Sequence, residues 1–256
     1  MEIKLSLLIP VYNAQKFILK TLNQLTEWKK NLSYTVQIII INDGSKDSTK
    51  QIIEQYISYN KSSIELITYP LNSGKGYAVK EGMLAASGKY RIFTDADIPF
   101  GFQSIDNILY YLDFKEFDVC VGNRKMPNSE YLLKVNPLRK LASVLFTMII
   151  SRYVVTGIND TQCGLKGFRE DVANQLFSTL QTKGFAFDVE ILYLSYKYNY
   201  DIKRVPVTFV GNSFSTIRLS KHSLEMFWDV FRLPFRWHFS NIYKNHSGLI
   251  EKKWKQ

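Results

Sequence analysis

The sequence predicts an α/β protein built on a mostly parallel sheet with helices on both faces. Two observations support this fold class. Apolar runs alternate with stretches of helical spacing through the first hundred residues. In addition, the run "TVQIIIIND" (35–43) lacks the period-two alternation of a half-exposed strand. Such a run is typical of a strand that is covered on both faces, as in a doubly wound, Rossmann-like sheet.

The individual elements follow from the same patterns. Four strands are predicted by apolar runs, at 4–11, 35–43, 64–70 and 89–95. Three helices are predicted between them, over 15–30, 48–59 and 76–87. Asp47 or Ser48 is well placed as the N-cap of the second helix. The runs "DVCVGNR" (118–124) and "VPVTFV" (205–210) predict two further strands of the same domain.

Length, charge and cysteine content restrict the class of protein. The 256 residues with 46% hydrophobic content allow one large domain with an appendage. The net charge of +10 favours anionic partners, but the basic residues are spread along the chain without a recognised nucleic-acid module, so we expect no nucleic acid partner. Cys120 and Cys163 form neither a disulfide framework nor a metal spacing, which favours a reducing cytosol. The N-terminal segment is expected to form the first strand and not a signal peptide.

Two segments suggest contact with a membrane, although no apolar run reaches the roughly 18 residues needed to span one. The first, "LASVLFTMII" (141–150), is either a core helix or a helix lying on a membrane or a membrane partner. The second, residues 218–256, interleaves basic and aromatic side chains. It is either an interfacial segment on anionic lipid or an amphipathic helix with a solvated basic face. Both alternatives are open for each segment.

Polar clusters follow three of the predicted strands, where the carboxyl ends of parallel strands converge. They are Tyr12–Asn13, Asn42–Ser45 and Asp95–Asp97. The loop "NSGKG" (72–76) contains small residues that allow backbone N–H groups and Lys75 to approach an anion, although it is not a Walker loop. We therefore expect an anionic ligand at this edge of the sheet.

Asp95 and Asp97 are the candidate metal ligands. In extended conformation their side chains point the same way, with Cα atoms about 7 Å apart. Either they form a solvated turn, or they hold Mg²⁺ or Mn²⁺ together with a substrate diphosphate. Their position after an apolar strand, in register with Asp43 and Lys75, favours the cation.

The sequence motifs over about residues 4–220 resemble those of the family 2 glycosyltransferases. The general motifs are "LSLLIPVYNA", "IIIINDGSKDST" and "NSGKGYAVKEGMLAASGKYRIFTDADIP", followed by "VGNRK". Two more specific motifs, "DTQCGLKGF" and "FAFDVEIL", resemble the polyprenyl-phosphate hexosyltransferases, notably the dolichyl-phosphate glucosyltransferases. The resemblance implies a GT-A nucleotide-sugar domain, a divalent cation (Mg²⁺ or Mn²⁺) and inversion at the anomeric carbon. We expect this domain over 1–220, followed by a basic aromatic extension over 221–256 that faces a membrane or a partner.

The resemblance also implies roles for particular residues. The nucleobase and ribose pocket would be lined by Pro10, Tyr12 and Asp43, with Asn13 among the nucleotide-sugar contacts and Lys75 close by. The diphosphate and metal would meet Asp95 and Asp97, with Asp97 as the metal ligand. Phosphates of donor or acceptor would be faced by Arg124 and Arg139. The sugar site would be lined by Asp160 and Gln162 and supported by Asp188 and Glu190.

Three departures from the family pattern modify these expectations. Ala14 replaces a glutamate that is common after "PVYN". Pro99 stands where the related mannose synthases have a metal-binding glutamine, which removes one ligand and favours the glucosyl branch. Thr216 replaces a lysine, so Arg218 or Lys221 would have to meet the acceptor phosphate.

The favoured function is transfer of a hexose to a polyprenyl phosphate at the cytoplasmic face of a membrane. The favoured hexose is glucose, and the favoured donor is UDP-glucose. The acceptor phosphate is already anionic at pH 7 and needs no general base. The alternative is a family 2 enzyme that extends a surface polysaccharide at a sugar hydroxyl, with Asp188 or Glu190 as the base. A non-catalytic nucleotide- or membrane-binding module is a third hypothesis. We expect either peripheral membrane contact or a membrane partner subunit, because many relatives carry transmembrane helices after the catalytic domain.

Overall fold

A seven-stranded sheet forms the centre of the protein in a computed structural model, which describes residues 2–60, 64–129, 160–210 and 219–243. The strands are β1 (Leu5–Val11), β2 (Val36–Asp43), β3 (Ile64–Tyr69), β4 (Tyr90–Phe93), β5 (Val119–Asn123), β6 (Lys166–Arg169) and β7 (Ile202–Pro206). They are arranged in the order β3-β2-β1-β4-β6-β5-β7. Neighbouring strands are parallel except at β6, which runs antiparallel to both β4 and β5.

Helices cover both faces of this sheet. They are α1 (Ile18–Lys30), α2 (Thr49–Asn60), α3 (Lys75–Ala85), α4 (Gly101–Asp113), α5 (Glu170–Thr179), α6 (Phe187–Lys197) and α7 (Leu219–Phe239). Alternate residues of β2 enter opposite cores: Ile38 and Ile40 pack in the core that includes α1, α2 and α4, and Ile39 and Ile41 in the core that includes α3, α5 and α6. The predicted α/β class, a mostly parallel sheet with helices on both faces, is confirmed.

The four predicted strands and three predicted helices of the first hundred residues are present, with ends shifted by up to three residues. Asp47 accepts a hydrogen bond from the N–H of Thr49 at the start of α2 (3.0 Å), as an N-cap residue does. The last strand lies earlier than predicted, because its backbone leaves the sheet after Pro206. The N–H of Val207 donates to Ser129 Oγ (3.2 Å), and the N–H of Val210 donates to the carbonyl of Pro99 (2.9 Å).

The order of the strands creates a crevice at the carboxyl ends of β1 and β4. The chain proceeds from β1 outward to β3 and then returns to place β4 on the other side of β1. Ligands of open α/β sheets bind at such a topological switch point. The polar clusters that follow β1, β2 and β4 therefore share one edge, as the sequence predicts.

Helix α7 packs on α6 and includes the predicted boundary between residues 220 and 221. Its side chains are described from residue 225 onward, and Val230 and Leu233 are buried against Val189 and Tyr193. The division into a catalytic domain and an extension stays a prediction. In the part of the chain that the structure describes, no helix is both long and apolar enough to cross a membrane. The segment 141–150, Arg139, Thr216, Arg218 and the side chain of Lys221 lie outside the described residues.

Candidate active site

Asp95 lies at the switch point of the sheet, two residues after β4 ends. Its carboxylate is paired with the ammonium group of Lys75, at the N-terminus of α3. Its carbonyl accepts the N–H of Ile98 (2.9 Å), so the segment containing Asp97 forms a tight turn. The extended conformation expected for Asp95–Asp97 is therefore wrong, because this hydrogen bond reverses the chain directly after β4. Gly164 lies directly beneath the Asp95 carboxylate, at a position where any β-carbon would overlap the carboxylate oxygens. The glycine of "DTQCG" therefore allows Asp95 to lie against the backbone.

A second, fully buried acid–base pair lies behind the first. Lys166 of β6 donates to Asp188 Oδ1 (2.5 Å) and to the carbonyl of Cys163 (2.7 Å), and its ammonium lies 5.6 Å from the ring centroid of Phe93. Burial raises the pKa of Asp188, against the lowering effects of Lys166 and Lys75. Sequence reasoning did not identify Lys166, although a lysine inside the quoted motif "CGLKGF" was the available signal.

The two pairs interact electrostatically. Burial opposes a charge on Lys75, but Asp95 and Asp188 raise the pKa of Lys75 above its ordinary value. Lys75 therefore remains positively charged at neutral pH, between one carboxylate that is partly exposed and one that is buried. A cation held at the N-terminus of a helix in a crevice suits the binding of a diphosphate.

Asp43 organises the loop that leads to Lys75. It is buried at the end of β2, and its carboxylate accepts the N–H groups of Ser73 (2.8 Å) and Gly74 (2.9 Å) and the side-chain amide of Asn72 (2.9 Å). Gly44, which follows it, has a φ of +64° and lies so close to the backbone of residues 71–72 that no β-carbon fits. The predicted contact of Asp43 with the nucleotide stays a prediction, and the described partners of its carboxylate belong to this loop.

The ends of β1 and β2 are joined through Asn13. This residue adopts a φ of +52°, donates its N–H to Ser45 Oγ (2.9 Å) and accepts the N–H of Lys46 at its side-chain oxygen (2.8 Å). Pro10 is buried in β1, whereas the ring of Tyr12 is 41% exposed. Of these predicted nucleotide contacts, Tyr12 presents an aromatic surface on which a base can stack.

Arg124 and Asp160 form a bidentate pair at the end of β5. Arg124 donates from Nε to Oδ2 (2.9 Å) and from a terminal nitrogen to Oδ1 (2.6 Å), and its backbone N–H also reaches Oδ2 (2.8 Å). Burial alone would raise the pKa of Asp160, but these bonds and the charge of Arg124 hold it below its ordinary value. Gln162, two residues on, donates to the sulfur of Met226 in α7 (2.8 Å). The three predicted residues thus connect β5, the "DTQCG" segment and α7.

Glu190, in the first turn of α6, lies behind the site. Its carboxylate is fully buried and accepts the N–H groups of Gln181 (2.8 Å) and Thr182 (2.9 Å) and the hydroxyl of Tyr243 (2.8 Å). Arg236 lies 3.8 Å away. The predicted supporting role of Glu190 at the sugar site stays a prediction, and these contacts leave the carboxylate poorly placed to act as a general base.

The residues after β4 provide a small set of oxygen ligands. Within residues 2–60, 64–129, 160–210 and 219–243, no group of three or more His, Cys, Asp or Glu side chains could hold a metal ion. Asp95 and Asp97 are two carboxylates on one turn, and the side chain of Pro99 has no atom that could bind a metal. Magnesium is commonly bound by one or two carboxylates, with water and a substrate diphosphate completing its coordination. The donor set therefore fits a divalent cation that takes its remaining ligands from water or from a bound diphosphate.

Solved structures with the same fold include two hexosyl-3-phosphoglycerate synthases. Glucosyl-3-phosphoglycerate synthase from Mycobacterium tuberculosis, solved with Mn²⁺, UDP and glucosyl-3-phosphoglycerate, superposes with a TM-score of 0.65 at 14% identity, covering 90% of this chain and 78% of that one. Mannosyl-3-phosphoglycerate synthase from Rubrobacter xylanophilus gives a TM-score of 0.68 at 15% identity, covering 92% and 74%. The fold defines the class: this is a GT-A glycosyltransferase fold.

The sequence comparison identifies the family within that class. The family model for glycosyl transferase family 2 matches residues 6–177, and the chain belongs to this family. It is 36% identical over 248 residues to the dolichyl-phosphate beta-glucosyltransferase of Dictyostelium discoideum, covering 92% of this chain and 75% of the relative. The enzyme of the same name from Saccharomyces cerevisiae is 31% identical, covering 90% and 73%. The protein is therefore an enzyme, a glycosyltransferase.

Proposed function

We propose that this enzyme transfers glucose from UDP-glucose to a polyprenyl phosphate at the cytoplasmic face of a membrane. The names of the relatives at 36% and 31% identity support glucose as the sugar and a polyprenyl phosphate as the acceptor. Pro99, which replaces the glutamine of the mannose synthases, supports the same sugar. The solved relative with UDP and Mn²⁺ supports a uridine nucleotide as the donor.

One observation of the site favours a phosphate acceptor over a sugar hydroxyl. The two carboxylates of α6 that were candidates for a general base are both buried and engaged: Asp188 with the ammonium of Lys166, and Glu190 with two backbone N–H groups and a tyrosine hydroxyl. A sugar hydroxyl must lose a proton as it attacks, whereas a phosphate monoester is already anionic at neutral pH. The arrangement therefore suits an acceptor that needs no base.

The chemistry follows from the charges in the crevice. An oxygen of the acceptor phosphate attacks the anomeric carbon from the face opposite the nucleotide, a new C–O bond forms, and the bond from that carbon to the UDP oxygen breaks with inversion. A bound Mg²⁺ or Mn²⁺ held by Asp97 and Asp95 would supply positive charge to the departing diphosphate. Lys75 stabilises the same negative charge from the N-terminus of α3. Asp160 holds Arg124 for the phosphate of the donor or the acceptor.

Contact with the membrane is assigned to the exposed face of α7. Along this face, opposite the residues that pack on α6, five aromatic side chains are between 38% and 81% exposed: Phe227, Trp228, Phe231, Phe235 and Phe239. Aromatic and basic side chains on a helix of this kind favour an interfacial position on anionic lipid. The buried free thiols Cys120 and Cys163 are consistent with a reducing compartment, and a membrane partner subunit remains part of the proposal.

The decisive experiment measures UDP release from UDP-glucose with purified enzyme, Mn²⁺ or Mg²⁺, and either a short-chain polyprenyl phosphate or a panel of saccharides. We expect release to require both the cation and the lipid phosphate, and a glucosylated lipid product to appear by mass spectrometry. Asp97→Asn should lower turnover by at least about 100-fold, since it weakens binding of the cation that would stabilise the negative charge of the leaving group. The matched control Asp171→Asn, at the start of α5, should leave turnover unchanged. Release with a saccharide and not with lipid phosphate would refute the acceptor assignment.

The membrane assignment has a separate test in vesicle flotation. Replacing Phe231 and Phe235 with serine should weaken binding to vesicles containing anionic lipid by at least about tenfold, because each exposed aromatic side chain that inserts contributes on the order of 1–2 kcal/mol. The control is Phe114→Ser, at the end of α4, an aromatic side chain outside α7 that is exposed to a greater degree. Equal binding by both variants would exclude α7 as the contact.

A further inference from the structure

The segment 181–184 closes against the N-terminus of α3, where Lys75 lies. The carbonyl of Lys183 accepts the N–H of Tyr77 (3.1 Å), which is one of the backbone donors that have no partner within the first turn of a helix. The two segments approach so closely that a β-carbon at Gly74 would lie 2.5 Å from the carbonyl oxygen of Lys183. A β-carbon at Gly76 would lie 2.5 Å from that of Thr182. The position of Lys75, between these glycines, therefore depends on the position of segment 181–184.

Glu190 determines where that segment lies. Its two carboxylate oxygens accept consecutive backbone N–H groups, those of Gln181 and Thr182, from a fully buried position in α6. A charged acceptor with two N–H donors forms a strong hydrogen-bonded unit, and loss of its charge leaves buried donors unsatisfied. Displacement of Glu190 would thus move the segment and, with it, the start of α3.

The C-terminal part of the chain is attached to the same carboxylate. Tyr243 donates its hydroxyl to Glu190, and burial and Glu190 raise the pKa of Tyr243, so this hydroxyl stays protonated. Arg236 of α7 donates to Thr182 Oγ1 (3.2 Å) within the segment and lies near Glu190. Glu190 is therefore the shared contact of the donor-site backbone and the C-terminal part of the chain.

We propose that Glu190 is a positioning residue for donor binding: by holding Gln181 and Thr182 it sets the N-terminus of α3 and places Lys75 to meet a nucleoside diphosphate, and Tyr243 fixes Glu190 in turn. The inference rests on the proposed function for the nature of the donor. It assigns to Glu190 an effect on donor affinity exerted through Lys75, with no contact to substrate.

The test is a double-mutant cycle on UDP affinity, measured by titration calorimetry with the full chain and Mn²⁺. Glu190→Gln keeps the shape of the side chain but removes one acceptor and the charge, so it should weaken UDP binding about tenfold. Lys75→Met should weaken it by at least as much. In the double variant the effects should not add, because both act on the same contact. In turnover, Glu190→Gln should raise KM for UDP-glucose and leave KM for the polyprenyl phosphate unchanged.

Two tyrosines provide the matched comparison. Tyr243→Phe removes the hydroxyl that bonds to Glu190 and should weaken UDP binding by a few fold. Tyr198→Phe removes a hydroxyl that bonds to the carbonyl of Tyr243 (3.2 Å) and should not change UDP binding. Three outcomes would overturn the inference. The effects of Glu190→Gln and Lys75→Met on UDP affinity could add, the two tyrosine variants could have equal effects, or the wild-type enzyme could fail to bind UDP. Normal UDP binding without transfer to lipid phosphate would refute the proposed function. In that case the double-mutant cycle on UDP affinity would still test the role of Glu190.

Discussion

The two lysine–aspartate pairs of the active site differ in their exposure to solvent. The side chains of Lys166 and Asp188 are 0% and 7% exposed, whereas those of Lys75 and Asp95 are 21% and 36% exposed. In the first pair both charges have lost their water and depend on each other. In the second, solvent and an incoming ligand can reach the charges.

This difference in exposure implies a difference in role. A buried pair gives little net stability relative to apolar side chains, but removal of one partner leaves an uncompensated charge in the interior. A partly exposed pair contributes little to stability in either case, because water replaces the lost partner. We therefore expect the inner pair to maintain the site and the outer pair to exchange its partner for substrate. Three predictions test this division, in order of decreasing effect on stability.

The largest effect is expected for Lys166→Met. The change leaves Asp188 buried without its cation and should lower the free energy of unfolding by about 3–5 kcal/mol. Unfolding in denaturant, monitored by circular dichroism, measures this loss of stability. In the double variant Lys166→Met/Asp188→Leu the loss should be largely restored, because no charge remains buried. A double variant as unstable as the single one would show that Lys166 contributes through packing and not through charge.

An intermediate effect is expected for Arg124→Met at the bidentate pair with Asp160. Because Arg124 lowers the pKa of Asp160 in the folded protein, this contribution to stability is present above the ordinary aspartate pKa of about 4 and is lost as the pH falls through the lower folded value. The variant should therefore be less stable by about 1–3 kcal/mol at pH 7.

Unfolding measured from pH 7 down to pH 2.5 tests the sign of this linkage. The difference in the free energy of unfolding between Arg124→Met and the wild type should become smaller as the pH falls below about 4. A difference that stays constant over that range would mean that Arg124 acts without the charge of Asp160. Lys20→Met, at an exposed position of α1, serves as a comparison for the general loss of a positive charge.

The contrast between the pairs also explains how far the sequence predicts this molecule. The unbroken apolar run of β2 predicts a strand buried on both faces, and the polar residues after β1, β2 and β4 predict the location of the site, because strand geometry places them at one edge. The outer pair was accessible to this reasoning, since Asp95 and Lys75 each follow a recognisable strand or loop signal.

The inner groups were not predictable in the same way. Strand β6 has four residues, begins with a lysine and runs antiparallel, so neither its length nor its pattern marks it as central. The pairing of Lys166 with Asp188 and of Glu190 with Tyr243 joins residues 22 and 53 positions apart through tertiary packing. Helix α4, by contrast, could have been predicted, because its buried apolar residues recur at helical spacing: Ile105, Ile108, Leu109 and Leu112. The sequence resemblance implies that Asp188 and Glu190 support the sugar site, and this role stays a prediction.

The smallest effect on stability is expected for Lys75→Met, and this prediction separates the two pairs most clearly. Since Asp95 is partly exposed, loss of its partner should change the free energy of unfolding by no more than about 1 kcal/mol. The matched control is Lys50→Met, which breaks an exposed pair with Glu54 on α2. Both variants should unfold close to the wild type, but only Lys75→Met should lose affinity for UDP, by about tenfold or more. If Lys75→Met instead unfolds as readily as Lys166→Met, the outer pair is structural too, and the division of roles by exposure is wrong.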